Sequence, residues 1–119
     1  TAALGVVLDK TNNTQKFFGG GDIKDTTTHN DDIMAIAISP DRKIAATGQV
    51  GKNPIICVWN TEDCSLISNF KQGRDTRLVK AIGINKDAQY VASAAADNDH
   101  TIFVFDLQGT KLASQKVLL

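Results

Sequence analysis

From Ile33 onward the chain alternates short apolar runs with polar, turn-forming segments. The runs Ile33–Ile38, Lys43–Gly48, Ile55–Asn60 and Ser65–Phe70 are followed by Leu78–Ile84, Gln89–Ala94, Thr101–Asp106 and Lys111–Val117. Runs of this length, bounded by turn residues, read as strands, and no segment requires a helix. Ser39-Pro40-Asp41-Arg42 and Asn85-Lys86-Asp87-Ala88 supply turn chemistry between the first two strands of each group. Thr61-Glu62-Asp63 and Leu107-Gln108-Gly109 do so between the last two. In the first run Ile33, Ala35 and Ala37 share one face, with Met34, Ile36 and Ile38 on the other. A strand apolar on both faces predicts a position sandwiched between neighbouring sheets.

The two groups are copies of one unit. Laid over each other, DDIMAIAISPDRKIAATG and RLVKAIGINKDAQYVASA keep one register: Ile33 to Val79, Ile38 to Ile84, Asp41 to Asp87, Thr47 to Ser93, and Trp59 to Phe105. Each pair is separated by 46 positions (105 − 59 = 46). Ahead of them, Gly5–Asp9 and Gln15–Phe18 match the last two strands of a preceding unit, with Leu8 at the tryptophan position. Four antiparallel strands at this period predict a β-propeller. The fold class read from the pattern is therefore all-β, with about two and a half four-stranded blades. Residues 1–18 form the end of one blade, 19–71 an insertion loop and a full blade, and 72–119 a second full blade. A ring closes with about four to eight blades, so a chain opening on Thr1 reads as an excerpt of a larger propeller. Expressed alone, its open faces and blade edges are expected to drive self-association.

The residues also resemble a known family. VWN at Val58–Asn60 and VFD at Val104–Asp106 stand where WD-repeat proteins carry Trp-Asp, and His29 precedes the first strand where that family carries Gly-His. More narrowly, GVVLD, TQKFF, HNDDI and ATGQVGKNPIICVWN resemble the echinoderm microtubule-associated-protein-like family, with ciliary propellers the nearest alternative. The WD-repeat resemblance implies a structural tetrad of His, Ser or Thr, Asp and Trp. His29, Thr47 and Trp59 match three members in the first full blade, but Gln49 to Asn53 contains no acid. In the second, Ser93 and Asp97 match, while Phe105 replaces the tryptophan and Gln72–Arg77 offers no histidine. The resemblance further implies a microtubule-associated scaffold with tubulin as its partner. The alternative is a general or ciliary platform for another protein.

Composition narrows the chemistry. Thirteen basic residues balance thirteen acidic ones, so no overall field draws the chain to nucleic acid or an anionic membrane. No apolar run approaches the roughly 20 residues of a membrane span. Cys57 and Cys64, without a second pair, suit neither a zinc site nor a disulfide framework. They read as reduced thiols, which points to the cytoplasm or nucleus, and the resemblance adds the cytoskeleton or cilium. Gly19-Gly20-Gly21-Asp22 fits neither phosphate-binding glycine motif. Asp97-Asn98-Asp99 lacks the glycine and glutamate of a calcium loop, and Asp31-Asp32 beside His29 reads as a solvated turn. No catalytic constellation, cofactor or metal is expected. The two irregular loops, Gly19–Thr28 and Gln49–Asn53, are expected on one rim. Lys24, Gln49, Lys52, Asn53, Arg74 and Arg77 are the candidates there for contact with an acidic protein partner.

Overall fold

A computed structural model describes residues 3–19, 28–73 and 76–116 of the chain. Ten strands follow one another: β1 Leu4–Asp9, β2 Thr14–Gly19, β3 Ile33–Ile38, β4 Ile44–Gln49, β5 Ile55–Asn60, β6 Leu66–Lys71, β7 Val79–Ile84, β8 Tyr90–Ala95, β9 Ile102–Asp106 and β10 Lys111–Gln115. They form a two-stranded sheet, β1-β2, and two four-stranded sheets, β3-β4-β5-β6 and β7-β8-β9-β10, in which every neighbouring pair is antiparallel. Among the described residues there is no helix.

The repeat survives as repeated turn geometry. Arg42 and Ala88, 46 positions apart, both hold positive φ (65° and 54°) in the turn between the first two strands of their sheets. In the first turn Asp41 accepts hydrogen bonds from the Ser39 hydroxyl and the Lys43 N–H. Asn85 does the equivalent work in the second, taking the N–H groups of Gln89 and Tyr90. A short polar side chain that closes its own turn is what lets a non-glycine residue sit at positive φ.

Two apolar seams join the sheets. Ala46, Ile56 and Val58, on one face of the first four-stranded sheet, pack with Val79, Val91, Ala95, Phe103 and Phe105 of the second. Gly48 sits where β4 meets β7; a Cβ there would lie 2.3 Å from Val79 Cγ1, so only glycine permits the approach. Ala45, Ile55, Cys57 and Trp59, on the opposite face, pack with Phe18 of β2. The same aromatic contact recurs at both seams. Phe18 stacks on Trp59 at 4.7 Å, and Phe70 leans on Phe105 at 4.6 Å. Edge ties recur as well, since Lys16 Nζ donates to the Glu62 carbonyl and Ser68 Oγ to that of Leu107.

The expected sandwich around β3 is met on one face only. Ile33, Ala35 and Ala37 are half-buried and β3 packs against β7, whereas Met34, Ile36 and Ile38 are 56%, 58% and 56% exposed. Among the described residues the sheet opposite has two strands, β1 and β2, and they leave this face of β3 uncovered. An open apolar slot of ≈ 510 Å³ remains there, lined by Val6, Leu8, Ile36, Ile38 and Trp59 among others.

Candidate functional site: the loop end of the first four-stranded sheet

β3 and β5 run the same way, so the segment leading into β3 and the loop leading into β5 meet at one end of the sheet. β4 delivers Thr47 and Gln49 to that end. Two residues apart on a strand, they point to one face, toward His29. Expected to end at Gly48, β4 ends one residue later, and that residue is what places Gln49 inside the ladder.

The result is a continuous buried chain of hydrogen bonds. Trp59 Nε1–H donates to Thr47 Oγ1 (3.2 Å), and Thr47 Oγ1 lies 2.6 Å from His29 Nε2. His29 Nδ1 is 2.9 Å from Gln49 Oε1. Gln49 Nε2 donates onward to Asn30 Oδ1 (2.8 Å) and, more weakly, to the Val50 carbonyl (3.3 Å). An amide oxygen can only accept, so Nδ1 carries the imidazole proton and Nε2 accepts from the Thr47 hydroxyl. His29, Thr47, Gln49 and Trp59 are 4%, 0%, 4% and 1% exposed. Burial lowers the His29 pKa below its ordinary 6.5, with the hydrogen bonds to Gln49 and Thr47 opposing the shift. A neutral imidazole bonded on both nitrogens and closed to solvent ties strands together and has no free nitrogen for a substrate.

Gln49 is thereby corrected from a surface contact to a core residue: it takes the Nδ1–H that the expected acid would have taken. The alternation from Thr47 was the signal that could have found it. Phe18 was missed too, although FF at the end of β2 repeats the aromatic before the end of β6.

The second sheet lacks this chain. Ser93, 2% exposed, has no partner for its Oγ. Phe105 has no N–H to give, and Ala95 stands 46 positions after Gln49. Asp97 is corrected as well. It does not reach toward Ser93, but closes its own turn on Thr101, accepting from the N–H (2.8 Å) and the hydroxyl (2.7 Å). Burial would raise its pKa, but those bonds, with a smaller contribution from His100, leave it lowered.

The WD domain, G-beta repeat family matches residues 20–60, the stretch that contains His29, Thr47 and Trp59. The chain belongs to the WD-repeat family. A ciliary WD repeat-containing protein, ctxp80 of Euplotoides octocarinatus, is 42% identical over 98% of this chain and 18% of its own length. The 77 kDa echinoderm microtubule-associated protein of Strongylocentrotus purpuratus is 33% identical over 74% of the chain and 14% of its length. The human echinoderm microtubule-associated protein-like 1 is 34% identical over 74% and 12%. The chain thus spans less than a fifth of these relatives. Among solved structures, Hsv2 of Kluyvelomyces marxianus superposes with a TM-score of 0.65 at 23% identity, over 76% of this chain and 31% of that one. That likeness supports the propeller fold, in which each four-stranded sheet is a blade.

Outside the buried chain, the WD blade's β4–β5 loop is anchored through its backbone. Val50 N–H donates to the Asp32 carbonyl, Gly51 N–H to that of Arg77, and Asn53 N–H to that of Thr76. Gly51 holds φ 115° against the Asp31 carboxylate, a conformation that favours glycine. The loop is therefore the bridge between the two full blades. Lys52 and Arg77 project from it and from the facing segment, both exposed. Asn53 is half-buried, and its Oδ1 is closed to solvent without a partner. Lys24 and Arg74 lie outside the described residues. Among the described residues no group of three or more His, Cys, Asp or Glu could hold a metal ion. Cys57 is buried, and that burial pushes its thiol up to about 12, while Cys64 is raised less. No described helix is long and apolar enough to cross a membrane.

Proposed function

We propose that the protein is a non-catalytic interaction scaffold that associates with microtubules through its propeller. What carries this reading is the likeness to the echinoderm microtubule-associated proteins over about three quarters of the chain. The loop end of the first full blade fits it physically. There Lys52 and Arg77 stand exposed on a rigid, hydrogen-bonded frame, and a rigid frame lowers the ordering cost of binding. The partner reading is tubulin, whose acidic surface complements exposed cations. Lys24 and Arg74 are proposed for the same contact, and the cytoplasmic cytoskeleton is the proposed location. The boundaries 1–18, 19–71 and 72–119 are proposed as the half-blade and the two full blades.

A second reading has its own support, the 42% identity to a ciliary WD-repeat protein. In it the same scaffold serves a ciliary complex with a different protein partner. Co-sedimentation of the full-length protein with purified microtubules separates the two. Retention in the pellet, lost with rising salt, is expected from the first. A full-length protein that stays in the supernatant at low salt would overturn it.

A further inference from the structure

Beside the buried hydrogen-bond chain lies a cleft of ≈ 340 Å³ lined by Asn30, Gln49, Lys52, Asn53, Ile55 and Lys71. Its polar groups divide into two kinds. Those of Gln49 are engaged within the fold, the oxygen by His29 and the nitrogen by Asn30 and Val50. Among the described residues the Lys52 and Lys71 ammonium groups make no salt bridge, and the Nδ2 groups of Asn30 and Asn53 make no hydrogen bond. Opposite in kind is Asn53 Oδ1, an acceptor closed to solvent and left without a donor.

We propose that this cleft binds an acidic side chain of a partner polypeptide, its carboxylate held by Lys52 and Lys71. This rests on the reading of the protein as an interaction scaffold and names its contact. Among the described residues no carboxylate lines the cleft. The nearby Asp31 lies over Gly51 and takes the Asp32 N–H. With a formal net charge of zero the chain has no global field, so attraction must come from this local pair and be screened by salt. Lys71 and Asn30 carry no motif; only the fold sets them beside Lys52.

The test uses the full-length protein and a fluorescent deca-glutamate peptide, read by anisotropy at low and at physiological salt. Binding is expected, weakening about tenfold in Lys71→Glu and in Lys52→Glu (~1.4 kcal/mol), while Lys86→Glu, in a turn at the opposite end of its blade, leaves it unchanged. Equal losses in Lys86→Glu, or no loss in either cleft variant, would overturn the site. So would a preference for single-stranded RNA over the peptide. Microtubule co-sedimentation of the same variants keeps the two readings apart. Peptide binding without sedimentation keeps the cleft and removes the microtubule reading; sedimentation unaffected by both cleft variants, with no peptide binding, does the reverse.

Discussion

The two full blades share strand order, turn geometry and the aromatic contact at each seam, but they hold their buried polar groups differently. In the first, Thr47 stands between a donor indole and an accepting imidazole, and the chain of bonds runs on to Gln49 and Asn30. In the second, Ser93 occupies the equivalent place with no partner, and Phe105 fills the aromatic position by packing alone. One architecture thus tolerates both a connected network and an apolar seam. What it does not tolerate cheaply is half of a network, because an unpaired buried group loses its solvation and gains nothing.

The largest effect expected from dismantling that difference lies at the aromatic positions. Trp59→Ala and Phe105→Ala are each expected to cost about 3–5 kcal/mol in denaturant unfolding of the intact protein. Trp59→Phe, which makes the first blade resemble the second, is expected to cost only about 1 kcal/mol through the lost hydrogen bond to Thr47. Equal costs for the Ala and Phe replacements at Trp59 would show that packing against Phe18 contributes little.

Next in size is the hydroxyl contrast. Thr47→Val keeps shape but leaves the Trp59 N–H and His29 Nε2 unpaired, at an expected cost of about 2–3 kcal/mol. Ser93→Ala removes a group with no partner, so unfolding is expected to be unchanged or shifted about 1 kcal/mol toward greater stability. A destabilised Ser93→Ala protein would mean that Ser93 has a partner after all.

A smaller, pH-dependent effect should separate the blades further. His29 is held neutral, with its pKa below the ordinary 6.5 because it is buried. The unfolded chain therefore takes up the proton first, and stability is full above pH 6.5 and falls as pH drops toward the folded value. His29→Gln is expected to flatten that slope in unfolding curves taken between pH 7 and the acid limb, at an overall loss of stability. An unaltered slope would place the proton elsewhere. Smallest of all is a labelling difference at the seam. Cys57 in the seam, with its thiol pushed up to about 12, is expected to resist iodoacetamide in the native protein while Cys64 reacts. Rapid labelling of Cys57 would mean that the seam opens.

Much of this molecule was legible in order. The 46-residue repeat, the strands to within a residue or two and the turns follow from alternation and turn chemistry, because both are local. His29, Thr47 and Trp59 were legible through resemblance, since each is a rare or polar residue at a fixed point of the repeat. Gln49 was misplaced because a glutamine beside a glycine-bearing loop looks like surface. Only the extra residue of β4 turned it inward, to the bond that would have gone to an acid. Asp97 was misplaced for the opposite reason, for a local partner, Thr101, outcompetes a distant one.

The sequence by itself determined the strands, their turns, their repetition and the apolar faces that make blades stack. Those follow from steric preference and hydrophobic pattern within a few neighbouring residues. Tertiary structure alone decided which polar groups find partners. Trp59 and Ser93 differ in the company they keep across strands, and Asn30, Lys52, Asn53 and Lys71 come together from three separate stretches of chain. Hydrogen-bond satisfaction and local field depend on distances of a few ångströms between residues far apart in sequence, and those distances exist only once the sheets have packed.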